Sequence, residues 1–576
     1  MSDWKEKLMQ LKKYLIQQPE KKREDNHITP AAAVDRKVSS PILDEKLFLE
    51  AMKQEGVDPI PEFIAMEPEH RAKKRVVLKL KDLPAGPEVR RYMTGPQRKQ
   101  EWERSSPAQK STSTVLPPEI PMGKNRITIG IDFGTSTTKV CARTELGGND
   151  VPVYRIDISD DATAWEGFTP SLVSIDKGSL YFADHVQQGT AIPHLKVCLA
   201  CEKRQFDRKE CLWADACPIS TSGSGLAALD LATLYLSWAM NKSRKRLPDA
   251  LKKAGGFVFN VGVPLKQLDD SPLKAVYERI SYFAWRLSEG VKQGLSIAQA
   301  KVWLDILNQQ YGTMPPPEDR MIQICPETSA AIVSFVNSSS ALPGLYCLCD
   351  IGAWTSDISV FRLTDIAKPE TGVDRLSFYA SGVTRSACEE IDTRIVHCLT
   401  ELWGSGIKDF LSTDILSEIR CVREHQEPSA TFSVSTESGL QRERNVPPFV
   451  LDYARNVVAE AVGRYFVKIT KQAYQEKERV PDRWREVSLV MTGGGSRDII
   501  FEKVFSENCG CHFKKVILNV DVILNAPKEQ HFRFAVAAGL SHPLATWPEQ
   551  LLPSEVSSWQ PHAVKQIADR DEQYPK

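Results

Sequence analysis

Two copies of one short pattern constrain this chain more than any other feature in it: an apolar strand, then D-x-G-x-x-T, then a second apolar strand. The first copy lies in "ITIGIDFGTSTTKVCA" and the second in "LYCLCDIGAWTSDISVF". Asp132, Gly134 and Thr137 recur as Asp350, Gly352 and Thr355, offset by 218 residues. One such turn is weak evidence, because aspartate and glycine are common turn residues. Two in matching strand context predict two related halves. A third signal follows in "VMTGGGSRDIIF", where Gly493, Gly494 and Gly495 lead from a strand into a helix.

Each loop suits phosphate for a physical reason. Its glycine lets the backbone approach an anion, and successive N–H groups can form an anion-binding nest. The aspartate at the strand end can hold a hydrated Mg²⁺ that offsets phosphate charge. Trp354 is the bulky member of the second loop. Ser136 stands at the same place in the first loop, so glycine is not demanded there, and the Trp354 amide can still donate to phosphate. The indole is expected to narrow or lid the cleft.

From about residue 127 short strands alternate with helical stretches such as 273–309 and 449–474, which indicates an α/β architecture. At 576 residues the chain is too long for one core. The reading is a first half at 127–325, a second half at 326–544 and a polar tail at 545–576. Hydrophobic residues at 42% and charged residues at 26% are ordinary for a soluble globular protein. No apolar run reaches the length of a membrane span, and "MSDWKEKLMQLKKYL" lacks the h-region of a signal peptide, so a cytoplasmic protein without a membrane partner is expected.

Residues 1–126 read as a basic, proline-rich, partly disordered extension with 25 Lys/Arg against 19 Asp/Glu and 13 prolines. Short helical patches near Trp4 to Leu15 and Leu43 to Gly56 are too short to stand alone, so they are expected to dock on the chain's own body or on a protein partner. Ten basic residues between Arg71 and Lys99 either form a solvated linker or track a nucleic-acid backbone. The 13 cysteines are expected to be reduced thiols. Cys198, Cys201, Cys211 and Cys217, with His194 just before them, could instead hold Zn²⁺, or an iron–sulfur cluster.

The three motifs in this order resemble the actin, sugar-kinase and DnaK-type heat-shock ATPase superfamily, and the resemblance to the DnaK branch runs from about 127 to 541. "GFTPSLVSIDKGSLYFADHVQQ", "FVFNVGVP", "ICPETSAAIVSF", "SGVTRSACEEID" and "FAVAAGL" are similar to further segments of that branch. The resemblance implies a two-lobed actin-like ATPase fold, each lobe an RNase H-like mixed sheet, with Mg²⁺ and ATP or ADP between the lobes. Such a cleft closes and relaxes, which makes it a switch. By this resemblance Asp132, Gly134, Thr135, Ser136 and Thr137 form the first phosphate loop, with Asp132 toward the metal. Asp350, Gly352, Ala353, Trp354 and Thr355 form the second, with Asp350 holding metal-bound water or accepting a proton from the attacking water. Glu327 would position that water. Lys196 would face phosphate, with Lys203 as the competing lysine. Gly493, Gly494, Gly495, Ser496 and Arg497 would carry the adenosine.

The chain departs from the branch at three places. Val422, His425 and Gln426 stand where a Glu, Lys and Arg clamp is expected, and Arg533 stands where an aspartate usually opens the final helix. A counterpart of the chaperones' peptide-binding domain is not expected in residues 542–576. The expected activity is a slow ATPase or ATP-binding switch working within a protein complex through the extension. A nucleotide-free scaffold and an actin-like filament former are the alternatives.

Overall fold

The computed structural model describes residues 113–118, 126–145, 151–159, 168–183, 189–202, 219, 222–252, 255–310, 321–337, 341–364, 375–403, 431–435, 441–445, 448–497, 499–508, 512–516 and 522–558. The two docking patches, the Arg71 to Lys99 run and the clamp positions lie outside these residues.

Twelve strands carry the main architecture: β1 (Arg126–Phe133), β2 (Thr137–Thr144), β3 (Val153–Arg155), β4 (Gly256–Val263), β5 (Ile322–Pro326), β6 (Gly344–Ile351), β7 (Ser356–Thr364), β8 (Arg375–Thr384), β9 (Glu486–Thr492), β10 (His512–Val516), β11 (Ile523–Leu524) and β12 (Glu549–Leu551). They form two mixed sheets, in the orders β5-β4-β1-β2-β3-β11 and β10-β9-β6-β7-β8-β12, with Thr169–Pro170 also pairing to β2. The strand directions match position by position. β1 and β6 are antiparallel to the strand that follows each, and parallel to β4 and β9 on the other side. The outermost strands, β11 and β12, run parallel to β3 and β8. The internal repeat read from two loops is therefore a repeat of whole sheets.

The helices that matter for the site are α1 (Leu195–Glu202), α2 (Ala228–Lys245), α3 (Ser271–Leu287), α4 (Ile297–Gln310), α5 (Glu327–Val336), α6 (Cys388–Trp403), α7 (Pro448–Glu476) and α8 (Ala535–Leu540). The helical pattern read across 273–309 is two helices, broken where Gly294 takes a positive φ of 73° and Leu295–Ser296 pairs with Ser179–Phe182. Along β6 the side chains alternate as a two-sided buried strand must. Cys347, Cys349 and Ile351 enter one core with α6 and α7, while Tyr346 and Leu348 enter another with α5 and α8. Cys347 and Cys349 are free, buried thiols of that core.

The chain does not finish one half before it returns to the other. β11 pairs with β3 of the first sheet, and α8 packs on β1, β2 and β4 and against α5. Two glycines permit this. A Cβ on Gly130 would meet the backbone of Ala537, Leu540 and Ser541, and one on Gly539 would meet the carbonyl of Ala330. Within the segment read as a polar tail, β12 is fastened by the Arg375–Glu549 ion pair, 2.7 Å, and by a hydrogen bond from Ser329 Oγ to Gln550, 2.9 Å.

Among the described residues no helix is long and apolar enough to cross a membrane. Replacing Gly539 with alanine is expected to force α8 from α5 and to lower stability by roughly 1–3 kcal/mol. Gly494→Ala, where an added Cβ meets nothing within 4 Å, is expected to leave the unfolding midpoint unchanged; urea titration of both variants checks the contrast.

Candidate functional site

The turn geometry of the first loop follows from its sequence. The Gly134 amide closes on the Asp132 carbonyl at 3.0 Å, and the space where a Cβ would sit is occupied by the Thr137 carbonyl. Ser171, from the segment "TPS", braces the loop by donating to the Gly134 carbonyl at 2.7 Å and meeting Thr138 Oγ1 at 3.0 Å. Thr135 and Ser136 are both buried. In the second loop the Gly352 amide donates to the Thr355 carbonyl at 2.9 Å. The Gly352 and Ala353 carbonyls accept from Cys388 and Glu389, the first amides of α6, at 3.3 and 2.7 Å.

The glycine run lies against this second loop. Gly493, at φ 81°, brings its backbone so close to Asp350 that a Cβ would collide with the carboxylate. Gly495 sits over Ile351 and Cys388. Gly494 is exposed and faces open space. Ser496 folds back on the Gly493 carbonyl at 2.8 Å, and Arg497 ends the short 3-10 turn.

Glu327 opens α5 directly after β5, where the helix dipole favours a carboxylate. It is buried, it occupies the room left by Gly262, and it pairs with Lys196 of α1 at 2.6 Å. Lys196 thus faces a carboxylate on the opposite element. Lys203 lies outside the described residues.

Three further residues belong to this cluster, of which Lys139 and Tyr277 were missed in the sequence. Lys139 pairs with Asp132 at 2.6 Å, and the antiparallel register places the two directly across from each other. In the second sheet the same register sets Asp357 across from Asp350. The signal was present: both pairs lie seven residues apart around a loop of fixed length, so the hairpin alone implied them. Tyr277 of α3 is buried within electrostatic reach of Lys196, Glu327 and Asp357; nothing in the sequence pointed to it.

The cluster therefore carries four carboxylates against two lysines, and burial, followed by repulsion among the carboxylates, sets its electrostatics. Burial first, and then the charges of Asp132 and Glu327, push the Asp350 carboxyl up to about 7. Asp357 is pushed well above its ordinary range by burial and then by Glu327, and Glu327 is raised by burial with Asp132 adding to it. Lys196 is held protonated: burial opposes its charge, but Glu327, Tyr277 and Asp357 outweigh it.

Trp354, expected to narrow a cleft, is instead seen as a packed and hydrogen-bonded side chain. Its indole is buried in the core of the first half, donates its N–H to His194 Nε2 at 3.1 Å, and meets the imidazole edge-on with ring centroids 5.0 Å apart. His194 Nδ1 in turn lies 3.5 Å from Ser136 Oγ. The residues at equivalent places in the two loops are thus joined through one histidine, which itself has φ 56°.

The cysteine cluster is described only in part. The Cys198 thiol is buried and donates to the Pro193 carbonyl at 3.6 Å, Cys201 lies on α1, and Cys211 and Cys217 fall outside the described residues. Among the described residues no three His, Cys, Asp or Glu side chains converge as a metal centre. Arg533, where the resemblance led us to expect an aspartate, stacks over Phe168 at 3.9 Å and so has a packing role.

Lys196→Met is expected to strand Glu327 as a buried, uncompensated charge and to cost roughly 3–5 kcal/mol. The double variant Lys196→Met, Glu327→Leu should recover most of that loss in urea unfolding, whereas additive losses would mean the two side chains are not coupled. No protein-family model matches this chain, and no curated protein matches it.

Proposed function

We propose that this chain is an Mg²⁺-dependent ATP-binding protein with the two-lobed, DnaK-like form of the actin-type fold, a slow hydrolase at most, whose lobe motion is passed to a protein partner through the N-terminal extension. The observation that carries the reading is the convergence of both D-x-G-x-x-T loops, Glu327 and Lys196 on one buried charge cluster, with the Gly493 to Ser496 turn against it. Sheets repeated in strand order and direction support the fold.

The donor set fits Mg²⁺. That ion takes hard oxygen ligands, commonly one or two carboxylates with phosphate and water completing its shell. Here the carboxyls of Asp350, Asp357 and Glu327 are all raised by burial and mutual repulsion, an excess of negative charge that a divalent cation relieves. Asp132 and Asp350 would hold it, and when bound it would supply charge neutralisation for the phosphates. Lys139 and Lys196 are the chain's own cations for a polyphosphate, each now parked on a carboxylate. Gly134 and Gly352 let backbone approach the anion, and Glu327 is placed to orient a water once Lys196 turns to phosphate.

The Trp354–His194 bridge favours a second reading, a scaffold that keeps the fold and takes no nucleotide, because the indole occupies space between the two loops. Calorimetric titration with ATP and ADP separates the two. On the first reading the wild-type chain binds with Mg²⁺, affinity falls at least tenfold in Asp132→Asn and Asp350→Asn, and Trp354→Ala binds more tightly than wild type. If neither wild type nor Trp354→Ala takes up nucleotide, the switch is excluded and the scaffold stands.

A further inference from the structure

Just ahead of β1, residues 113–118 lie across α4, far in sequence from what they touch. The side-chain amide of Gln299 bonds both backbone groups of Ser113: its oxygen accepts from the Ser113 N–H, and its nitrogen donates to the Ser113 carbonyl at 2.7 Å. One amide thus pairs with one residue as a neighbouring strand would, a form of recognition indifferent to the side chain it reads. The indole N–H of Trp303 donates to the Val115 carbonyl at 3.1 Å. Leu116 packs against the core of the first half. Pro117 is buried in a niche that exists because residue 290 has no side chain: a Cβ on Gly290 would collide with the Pro117 ring and lie 2.8 Å from the Trp303 ring.

Side-chain selectivity follows from the same contacts. Val115 is 72% exposed, so the surface reads Leu116 and Pro117 and leaves Val115 to solvent. Pro117 and Pro118 restrict the segment to extended backbone before it docks, which lowers the entropy lost on binding. Ser113 Oγ receives the Val115 amide at 3.2 Å and so shapes the segment's own turn. An aromatic wall, a proline niche and backbone-directed hydrogen bonds are the parts from which peptide-recognition grooves are built.

We propose that the surface formed by Gly290, Gln299 and Trp303 is a recognition site for an extended, proline-containing peptide segment, that residues 113–118 are its ligand in cis, and that the extension is thereby an anchored arm leaving the first half at a fixed point. The occupant is the chain's own segment because only residues 119–125 separate it from β1, a tether of roughly 25–29 Å at full stretch. The proposal does not depend on nucleotide binding.

Hydrogen exchange on the full chain tests it. The backbone amides of Ser113 and Val115, which donate to Gln299 and to the Ser113 hydroxyl, are expected to exchange slowly in wild type and at least tenfold faster in Gly290→Val and in Gln299→Ala, with the amides of β1 unchanged in both. Gln299→Ala leaves the core untouched and serves if Gly290→Val folds poorly. A second measurement uses full chain carrying Pro117→Asp, to which an excess of synthetic peptide spanning residues 111–120 is added. The peptide should slow exchange in the first turns of α4, and Gly290→Val in the same chain should abolish that effect. Free-chain exchange of the Ser113 and Val115 amides in wild type, or unchanged protection of both in both groove variants, would overturn the proposal, as would a peptide effect that survives Gly290→Val.

Discussion

Charge neutrality inside a closed space is the constraint on which the rest of this structure turns. Four carboxylates, Asp132, Glu327, Asp350 and Asp357, are held within electrostatic range of one another, and burying an uncompensated charge is among the costliest things a fold can do. Lys139 and Lys196 answer two of them directly. The other two, Asp350 and Asp357, face each other across neighbouring strands, and their raised carboxyls mark where compensation stops. The elements that supply these groups come from both sheets and from α1, α3 and α5, so the cluster can form only when the two halves are packed together.

The repeat shows how one design was made to serve unequal purposes. Position for position the sheets match in order and direction, yet the residue seven places after the loop aspartate is lysine in the first copy and aspartate in the second. The first hairpin neutralises itself, and the second does not. The same divergence separates Ser136 from Trp354. A small hydroxyl in one loop leaves room that a large indole from the other loop fills, with His194 between them. Symmetry built the scaffold, and its breaking at two positions gave the interior its electrical and steric asymmetry.

The strands and the two loops were legible in sequence because each depends on residues adjacent along the chain. Asp357 was legible as part of the second loop, and Lys139 was legible too through hairpin register, although the loop pattern drew attention away from it. Lys196 with Glu327, and Tyr277 with either, depend on long-range packing that no local periodicity encodes. The return of β11 and α8 to the first sheet belongs to the same class: Gly130 and Gly539 look like ordinary small residues until the backbone of another element is found where their side chains would be. The break in the helical stretch at 273–309 had a local cause, Gly294, which an amphipathic pattern running through both helices concealed.

Trp354 looks at first like damage to a phosphate loop, and its environment argues for a different interpretation. A residue lost from function drifts toward solvent or toward loose packing, whereas this indole is enclosed, hydrogen-bonded and set edge-on to His194. Its N–H donation requires Nε2 of His194 to be unprotonated, which leaves Nδ1 to carry the proton toward Ser136. Three side chains from two loops and the start of α1 are thereby ordered together. An incoming polyphosphate that needed the backbone of either loop would have to displace that arrangement as well as draw Lys139 and Lys196 off their carboxylates. The closed cluster and the bridge therefore act in the same sense: both hold this arrangement in place, and on the nucleotide-binding reading proposed above both would have to be displaced together.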